Sequence, residues 1–351
     1  MSADVRQTRA WNPRMSATGF AAIGISFALS VGTVAVLAHL AARLPQDAPN
    51  HRSLHIRAVP RAGGYAIWAG FLPAAFWYPP SFPGGTVGWF LPWLVLVMIS
   101  ALDDVRGVAV GVRLCVHALA ALWTASWIWL DSPRAAGADV LSSSIAIVAV
   151  ALAIAWASNL YNFMDGNDGL CATMTFVGFG ALGAAALPAG DAAVAYFALA
   201  AATVPFLVVN RPRATMFLGD IGSIPLGFLA ASFGIGGTIT GLWPAWFPAL
   251  VFLPFIADAT ATLVHRMARG DRIAAPHRDH YYQRLNRLGA GHAGTLSIYA
   301  VLMAGTAATA LGCLFAPPTW GVVALAAWCA VCFMLFAGID YHWRKNNPTP
   351  P

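Results

Sequence analysis

Glutamate is absent from the 351-residue chain, and lysine occurs once, as Lys345. Charge is carried by 14 aspartates and 19 arginines, and charged residues make up only 10% of the sequence. Soluble domains average about 25%, so a soluble fold would lack the polar surface to cover itself. The same scarcity excludes charged disordered tails and long solvated helices laced by ion pairs. Cysteine is sparse too: Cys115, Cys171, Cys313, Cys329 and Cys332 all lie within apolar segments. None stands at zinc-ligand spacing with histidine partners, and no disulfide framework is expected, so they read as small buried hydrophobes.

Apolar residues dominate instead, at 59% with 14 Trp and 20 Phe, and the mean hydropathy is +0.66. A bilayer core takes about 20 apolar residues per helix. Eleven runs approach or reach that length: roughly 17–41, 63–79, 88–102, 113–130, 143–161, 170–188, 192–209, 222–240, 244–266, 295–315 and 320–340. The predicted fold is therefore all-α: a polytopic membrane bundle of about 10–11 transmembrane helices. Residues 1–16 are expected to form a polar tail, 17–340 a single transmembrane domain that holds the chemistry, and 341–351 a second tail. Arg6, Arg9 and Arg14 precede the first run. That run is longer than a signal-peptide core and no cleavage pattern follows, so it reads as a retained helix.

The net charge of +6 does not indicate a nucleic-acid partner, because the arginines sit in short gaps between apolar runs. Cytoplasmic membrane loops have that distribution. With the amino terminus outside, the inside segments hold 16 of the 20 Arg and Lys, against Arg6, Arg9, Arg14 and Arg134 outside. The amino terminus is thus expected out and the carboxyl terminus in. Parity needs no hydropathy threshold. Five polar stretches, 42–62, 103–113, 162–169, 210–221 and 267–294, are each separated from the next by two apolar runs. All five must emerge on one face, while the loops of the other face are short and chemically plain.

The polar stretches carry the chemistry. Asp103 and Asp104 end the third run, where adjacent carboxylates repel each other and face the negative end of the helix dipole. In 159–170, Asn159 and Asn162 stand three apart, as do Asp165 and Asp168, with Gly166 and Gly169 between and after them. Asn210-Arg211-Pro212-Arg213 closes the seventh run, and Asp220 stands just before the eighth. The last loop gathers His277, Arg278, Asp279, His280, Tyr281, Tyr282, Gln283 and Arg284. Its Arg, His and aromatic side chains suit phosphate and sugar hydroxyls. Turns and helix caps also use Asn, Asp and Gly; a shared face for five such aspartates is what exceeds that plainer use. At 4 Å, two like charges repel by about 4 kcal/mol at an effective dielectric of 20. A cation is therefore required, and Mg²⁺, with Mn²⁺ as a substitute, suits hard oxygen donors shared with phosphates. The pattern predicts metal-assisted phosphoryl transfer at a membrane surface.

As a set, five segments resemble one family. They are Asn50-His51-Arg52-Ser53-Leu54-His55 with Pro60-Arg61-Ala62-Gly63-Gly64; Asp103-Asp104; Asn162-Phe163-Met164-Asp165-Gly166-Asn167-Asp168-Gly169; Phe217-Leu218-Gly219-Asp220-Ile221-Gly222-Ser223; and His277-Arg278-Asp279-His280-Tyr281-Tyr282-Gln283-Arg284-Leu285. The family is the polyprenyl-phosphate N-acetylhexosamine-1-phosphate transferases, glycosyltransferase family 4. The first and last segments are most similar to its O-antigen and capsule initiating branch. The resemblance implies transfer of an N-acetylhexosamine-1-phosphate, GlcNAc-type, from a UDP-sugar to undecaprenyl phosphate with release of UMP. It also implies a bacterial inner-membrane enzyme that initiates lipopolysaccharide or cell-wall glycan synthesis at the cytoplasmic face, in a form compatible with a homodimer. By position it assigns Asp220 and Asn162 to the metal, and Asp103, Asp104, Asp165 and Asp168 to catalysis. Asn159, Asn210, Arg52, His55, His277, Arg278 and His280 fall at substrate-binding positions. Where family members carry Pro-Thr-Pro-Arg-Gly-Gly, this chain reads Ala58-Val59-Pro60-Arg61-Ala62-Gly63-Gly64.

A transporter of an anionic solute is the competing class, but it predicts inverted repeats and ionisable residues near the midplane. A CDP-alcohol phosphotransferase would need an Asp-Gly-x-x-Ala-Arg run, and Asp165-Gly166 continues instead as Asn-Asp-Gly. Two residues fall inside apolar runs. Asp258, four after Pro254, is expected at a kink that opens a groove for the prenyl chain. His117 is expected as a packed, hydrogen-bonded core residue.

Overall fold

The structure, a computed structural model, describes residues 15–48, 58–271 and 277–346. Arg52 and His55 lie outside the described residues. The chain folds into an all-α bundle; the only sheet among the described residues is a two-residue antiparallel pair, β1 (Gln46–Asp47) with β2 (Val59–Pro60). The helices are α1 (Ala17–His39), α2 (Gly63–Trp77), α3 (Gly85–Arg106), α4 (Val110–Leu130), α5 (Val140–Met164), α6 (Leu170–Ala186), α7 (Val194–Asn210), α8 (Asp220–Ile239), α9 (Trp246–Val251), α10 (Leu253–Ala268), α11 (Tyr281–Leu285), α12 (Gly291–Cys313) and α13 (Pro318–Asn346). Eight helical stretches are long and apolar enough to cross a membrane, and one of them, Leu170–Asn210, holds both α6 and α7. The α2 helix and the α9–α10 pair are shorter.

Helix ends follow local chemistry. Ser16 caps α1 by accepting from Gly19 N at 3.0 Å, and Asp139 caps α5 by accepting from Ser142 N at 2.8 Å. The expected ninth span is broken at Phe252, and α10 restarts with Pro254 in its first turn. Proline is tolerated there because its missing N–H would have no helical partner anyway. The last helix, α13, continues past residue 340 to Asn346.

The centre of the bundle is α8, whose apolar window is 83% buried against 11% for α5 and 17% for α13. It packs against α2, α3, α4 and α5. Its start crosses the start of α2 with backbones in contact: a Cβ on Gly64 would lie 2.7 Å from Gly222 N. Small residues allow such approaches between membrane helices. Exposed Leu141 and Leu152 on α5 and Phe333 on α13 mark an apolar perimeter suited to lipid.

Turns segregate to two ends. Gly84 N donates to Asp131 at 2.7 Å, joining the α2–α3 and α4–α5 turns, and Ser16 N donates to Asp191 at 2.8 Å, placing the start of α1 beside the α6–α7 turn. The α3–α4, α5–α6 and α7–α8 connections lie at the other end with the start of α2. Parity placed these polar connections together, and the fold does the same.

Candidate active site

Two chain segments form the floor of this end. Phe217 N donates to Pro60 O, while Phe217 O accepts from Ala62 N and Gly63 N. The residue after Leu218, Gly219, adopts φ +76°, and a Cβ there would lie 2.8 Å from Asp104 Oδ2. Only glycine fits both conditions. It leaves the start of α8 without a side-chain cap of its own. Asp104, at the end of α3, fills that role from across the bundle, accepting from Asp220 N at 3.2 Å and Ile221 N at 3.0 Å.

The other predicted carboxylates surround this contact. Asp103 accepts from Val108 N at 2.6 Å and from the Arg113 guanidinium, which also donates to Asp220 Oδ2 at 3.1 Å. Asp220 Oδ1 accepts from Asn162 Nδ2 at 2.8 Å, and the same amide reaches Ser223 Oγ at 3.1 Å. Arg61 donates to Asp47 at 2.5 Å and stands 3.9 Å from Asp104. Asp165 caps the end of α5. Its carboxyl is only partly open to solvent, but protein crowds it; burial first, then Asp220 and Asp104, push its pKa well above the usual carboxylate range.

Other predicted site residues hold the frame. Asp168 accepts from Arg213 N at 3.0 Å and Ala214 N at 3.2 Å. These bonds hold the α7–α8 loop, where Arg213 has a strained φ of +72°. Asn210 accepts from Gly169 N and donates to Met216 O, and Asn159 donates to Ala155 O within its own helix. His280 and His277 lie in the last loop, their rings 5.0 Å apart, and the His280 ring is 5.7 Å from Phe163. Phe163 follows Asn162 directly, so this aromatic row borders the carboxylate cluster. Arg278 precedes Asp279, which accepts from Arg266 at 2.6 Å.

Asp258 has a different occupation from the one expected. It is fully buried and accepts from Tyr281 N at 3.0 Å, Tyr282 N at 2.9 Å and the Tyr299 hydroxyl, with His280 Nδ1 at 3.3 Å. It fastens α11, and with it the last loop, to α10. Asp104, Asp168 and Asp258 thus each clamp two consecutive backbone amides of another segment. His117 is buried as expected, yet neither ring nitrogen has a hydrogen-bond partner among the described residues.

Sequence reasoning gave no role to Arg113. Its signal was its place at the end of the 103–113 stretch, one turn into the next helix. Asp103, Asp104, Asp165 and Asp220 converge against two guanidiniums, those of Arg61 and Arg113. A net negative centre with hard oxygen donors fits a divalent cation.

The model of the family described as glycosyl transferase family 4 matches residues 86–238, from α3 to α8, the stretch that holds all four of these carboxylates. Over that stretch the chain is similar to glycosyl transferase family 4. It is 26% identical over 300 residues to a probable undecaprenyl-phosphate N-acetylglucosaminyl 1-phosphate transferase of Bacillus subtilis, covering 80% of this chain and 82% of the relative. It is 28% identical over 262 residues to an undecaprenyl-phosphate alpha-N-acetylglucosaminyl 1-phosphate transferase of Yersinia pestis, covering 69% and 70%. An Escherichia coli K12 protein of the same name is 26% identical over 270 residues, covering 69% of each chain.

Proposed function

We propose that this membrane enzyme transfers a GlcNAc-type N-acetylhexosamine-1-phosphate from a UDP-sugar to undecaprenyl phosphate, releasing UMP. The supporting observation is the meeting of Asp103, Asp104, Asp165 and Asp220 with Arg61 and Arg113 at one end of the bundle. The names of the relatives agree with this reading. An anion transporter would place these groups near mid-bundle, whereas here they gather at helix ends.

Asp220 and the carbonyl oxygen of Asn162 are the residues that would hold Mg²⁺. Among the described residues no three carboxylate, imidazole or thiol groups form a ready-made metal cage. That suits Mg²⁺, which takes one or two carboxylates and completes its shell with substrate phosphates and water. When bound, the ion supplies charge neutralisation at the diphosphate oxygens. The chain's own groups position the reactants. Asn162 Nδ2 orients Asp220, Asp104 fixes the backbone beneath it, and Arg113 stands ready for phosphate oxygens.

In the reaction, an oxygen of the lipid phosphate forms a bond to the β-phosphorus of the UDP-sugar. The bond from that phosphorus to the bridging oxygen breaks, and UMP departs with the electron pair. Any proton left on the lipid phosphate passes to a carboxylate of this cluster. At the edge of the aromatic row, half-buried His277 offers a ring nitrogen to the sugar, while Phe163 and the buried His280 back it. The arginine distribution supports the amino terminus out, the active site on the cytoplasmic face and the bacterial inner membrane as the location. Similarity of the first and last motifs to the O-antigen branch supports a role at the start of lipid-linked surface polysaccharide synthesis.

Membranes carrying the protein, incubated with radiolabelled UDP-GlcNAc and undecaprenyl phosphate, should yield labelled lipid and free UMP. Absence of labelled lipid across a panel of UDP-N-acetylhexosamines would overturn the proposal.

A further inference from the structure

Away from the carboxylates, a groove of ≈ 490 Å³ runs between the end of α11 with the segment 286–290 that follows it and the last turns of α13. Leu285, Leu288, Met334, Leu335 and Ile339 make its walls apolar, and His342 and Asn346 stand at one end. Gly338 lies on its floor, where an added Cβ would meet nothing within 4 Å. No neighbouring helix therefore requires a glycine there, although glycine inside a helix costs about 0.5–1 kcal/mol relative to alanine.

The polar end of the groove is cationic. Lys345, the only lysine in the chain, is exposed one turn from His342, and Arg344 is exposed on the opposite side of α13. Arg287 stacks 4.7 Å from the Trp343 ring centroid. Among the described residues none of these three cations is paired with a carboxylate; Asp340, the nearest acid on α13, is held by Arg284 at 2.6 Å. An apolar trough capped by uncompensated cations and an indole, at the end of a membrane helix, matches an acyl chain and an anionic headgroup.

We propose that this groove is a binding site for an anionic phospholipid. One acyl chain lies along Leu288, Leu335 and Gly338, and the headgroup phosphate lies against Arg287 and Lys345. Arg284 lies two residues after Tyr282, whose amide Asp258 clamps, and Asn286 donates to Asn167 at 2.9 Å. An occupied groove would thus brace α11 from the lipid side. This site is separate from the carboxylate cluster and does not depend on the proposed reaction.

The test uses the full-length protein in nanodiscs of phosphatidylglycerol and phosphatidylcholine mixed in equal amounts, with native mass spectrometry of the released complexes. Retained phosphatidylglycerol should exceed retained phosphatidylcholine by about tenfold. The double variant Arg287→Ala, Lys345→Ala should abolish that preference, and Arg344→Ala should leave it unchanged. Gly338→Phe, whose Cβ would enter open space and whose ring would occupy the trough, should reduce retention of both lipids while leaving the melting temperature unchanged or higher. Equal retention of the two lipids, or full retention by Gly338→Phe, would overturn the proposal. So would crosslinking of photoreactive polyprenyl phosphate to Leu288 or Leu335 in place of a photoreactive phosphatidylglycerol, or a dimer that buries the groove and carries no lipid.

Discussion

Asp104 caps the helix that carries Asp220, although 116 residues separate the two in the chain. The cap fixes where the Asp220 carboxylate stands, and Gly219 is the residue that lets Asp104 come close enough. Asp104 and Asp220 therefore have separable roles, one in holding backbone and one in facing the reactants.

Asp104→Ala should lower both turnover and thermal stability, because two amides of α8 and Arg61 lose their acceptor. Loss of a helix cap costs about 0.5–2 kcal/mol, so thermal unfolding in detergent should begin several degrees lower. Asp104→Asn, which keeps one accepting oxygen, should fall between. An unchanged melting temperature for the alanine variant would remove the capping role.

Asp220→Asn should behave differently. Its carboxylate is not needed for the α8 cap, so the melting temperature should hold while turnover falls by about 10²-fold or more, the scale of losing one electrostatic contact to a transition state. Chelation with EDTA should silence the parent enzyme and Mg²⁺ should restore it. Retained activity in EDTA would refute the metal assignment.

Removal of Asp258 should strike the last loop. Asp258→Ala leaves Tyr281 N, Tyr282 N and the Tyr299 hydroxyl without their acceptor inside the protein. Each such orphan costs about 1–3 kcal/mol. Hydrogen exchange at 280–285 should accelerate, and KM for the UDP-sugar should rise more than KM for the lipid. Unaltered exchange in that segment would show that the clamp is unimportant.

His277 gives a pH signature. Burial, then the nearby His280 and Arg266, lower its pKa from the ordinary 6.5 to about 4. The unfolded chain therefore takes up this proton before the folded one as pH falls through the interval from 6.5 to 4. In that window the unfolded state binds more protons, so stability rises with pH and is lost on acidification. His277→Gln should flatten the slope of melting temperature against pH there. An identical slope in the variant would count against the lowered pKa.

The bundle was legible because hydropathy and helix capping are local properties, readable from 20 consecutive residues. Parity then required only a count of apolar runs between polar stretches, so the common face of Asp103, Asp104, Asp165 and Asp220 was already implied. The break at Phe252 was half legible: Pro254 marked a kink, but nothing in the surrounding apolar residues placed the restart just before it. Nothing in the spacing of Asp104, Asp168 or Asp258 distinguished an acid that clamps backbone amides from one that faces the reactants.

The sequence by itself determined that this is an all-helical membrane protein with its acids gathered at one end. Only the tertiary structure decided that Arg113 bridges Asp103 and Asp220, that Asn162 orients Asp220, and that Asp258 anchors the last loop. A hydrogen bond depends on the position and direction of both partners to within a fraction of an ångström. For partners on different helices, that geometry exists only after the helices pack.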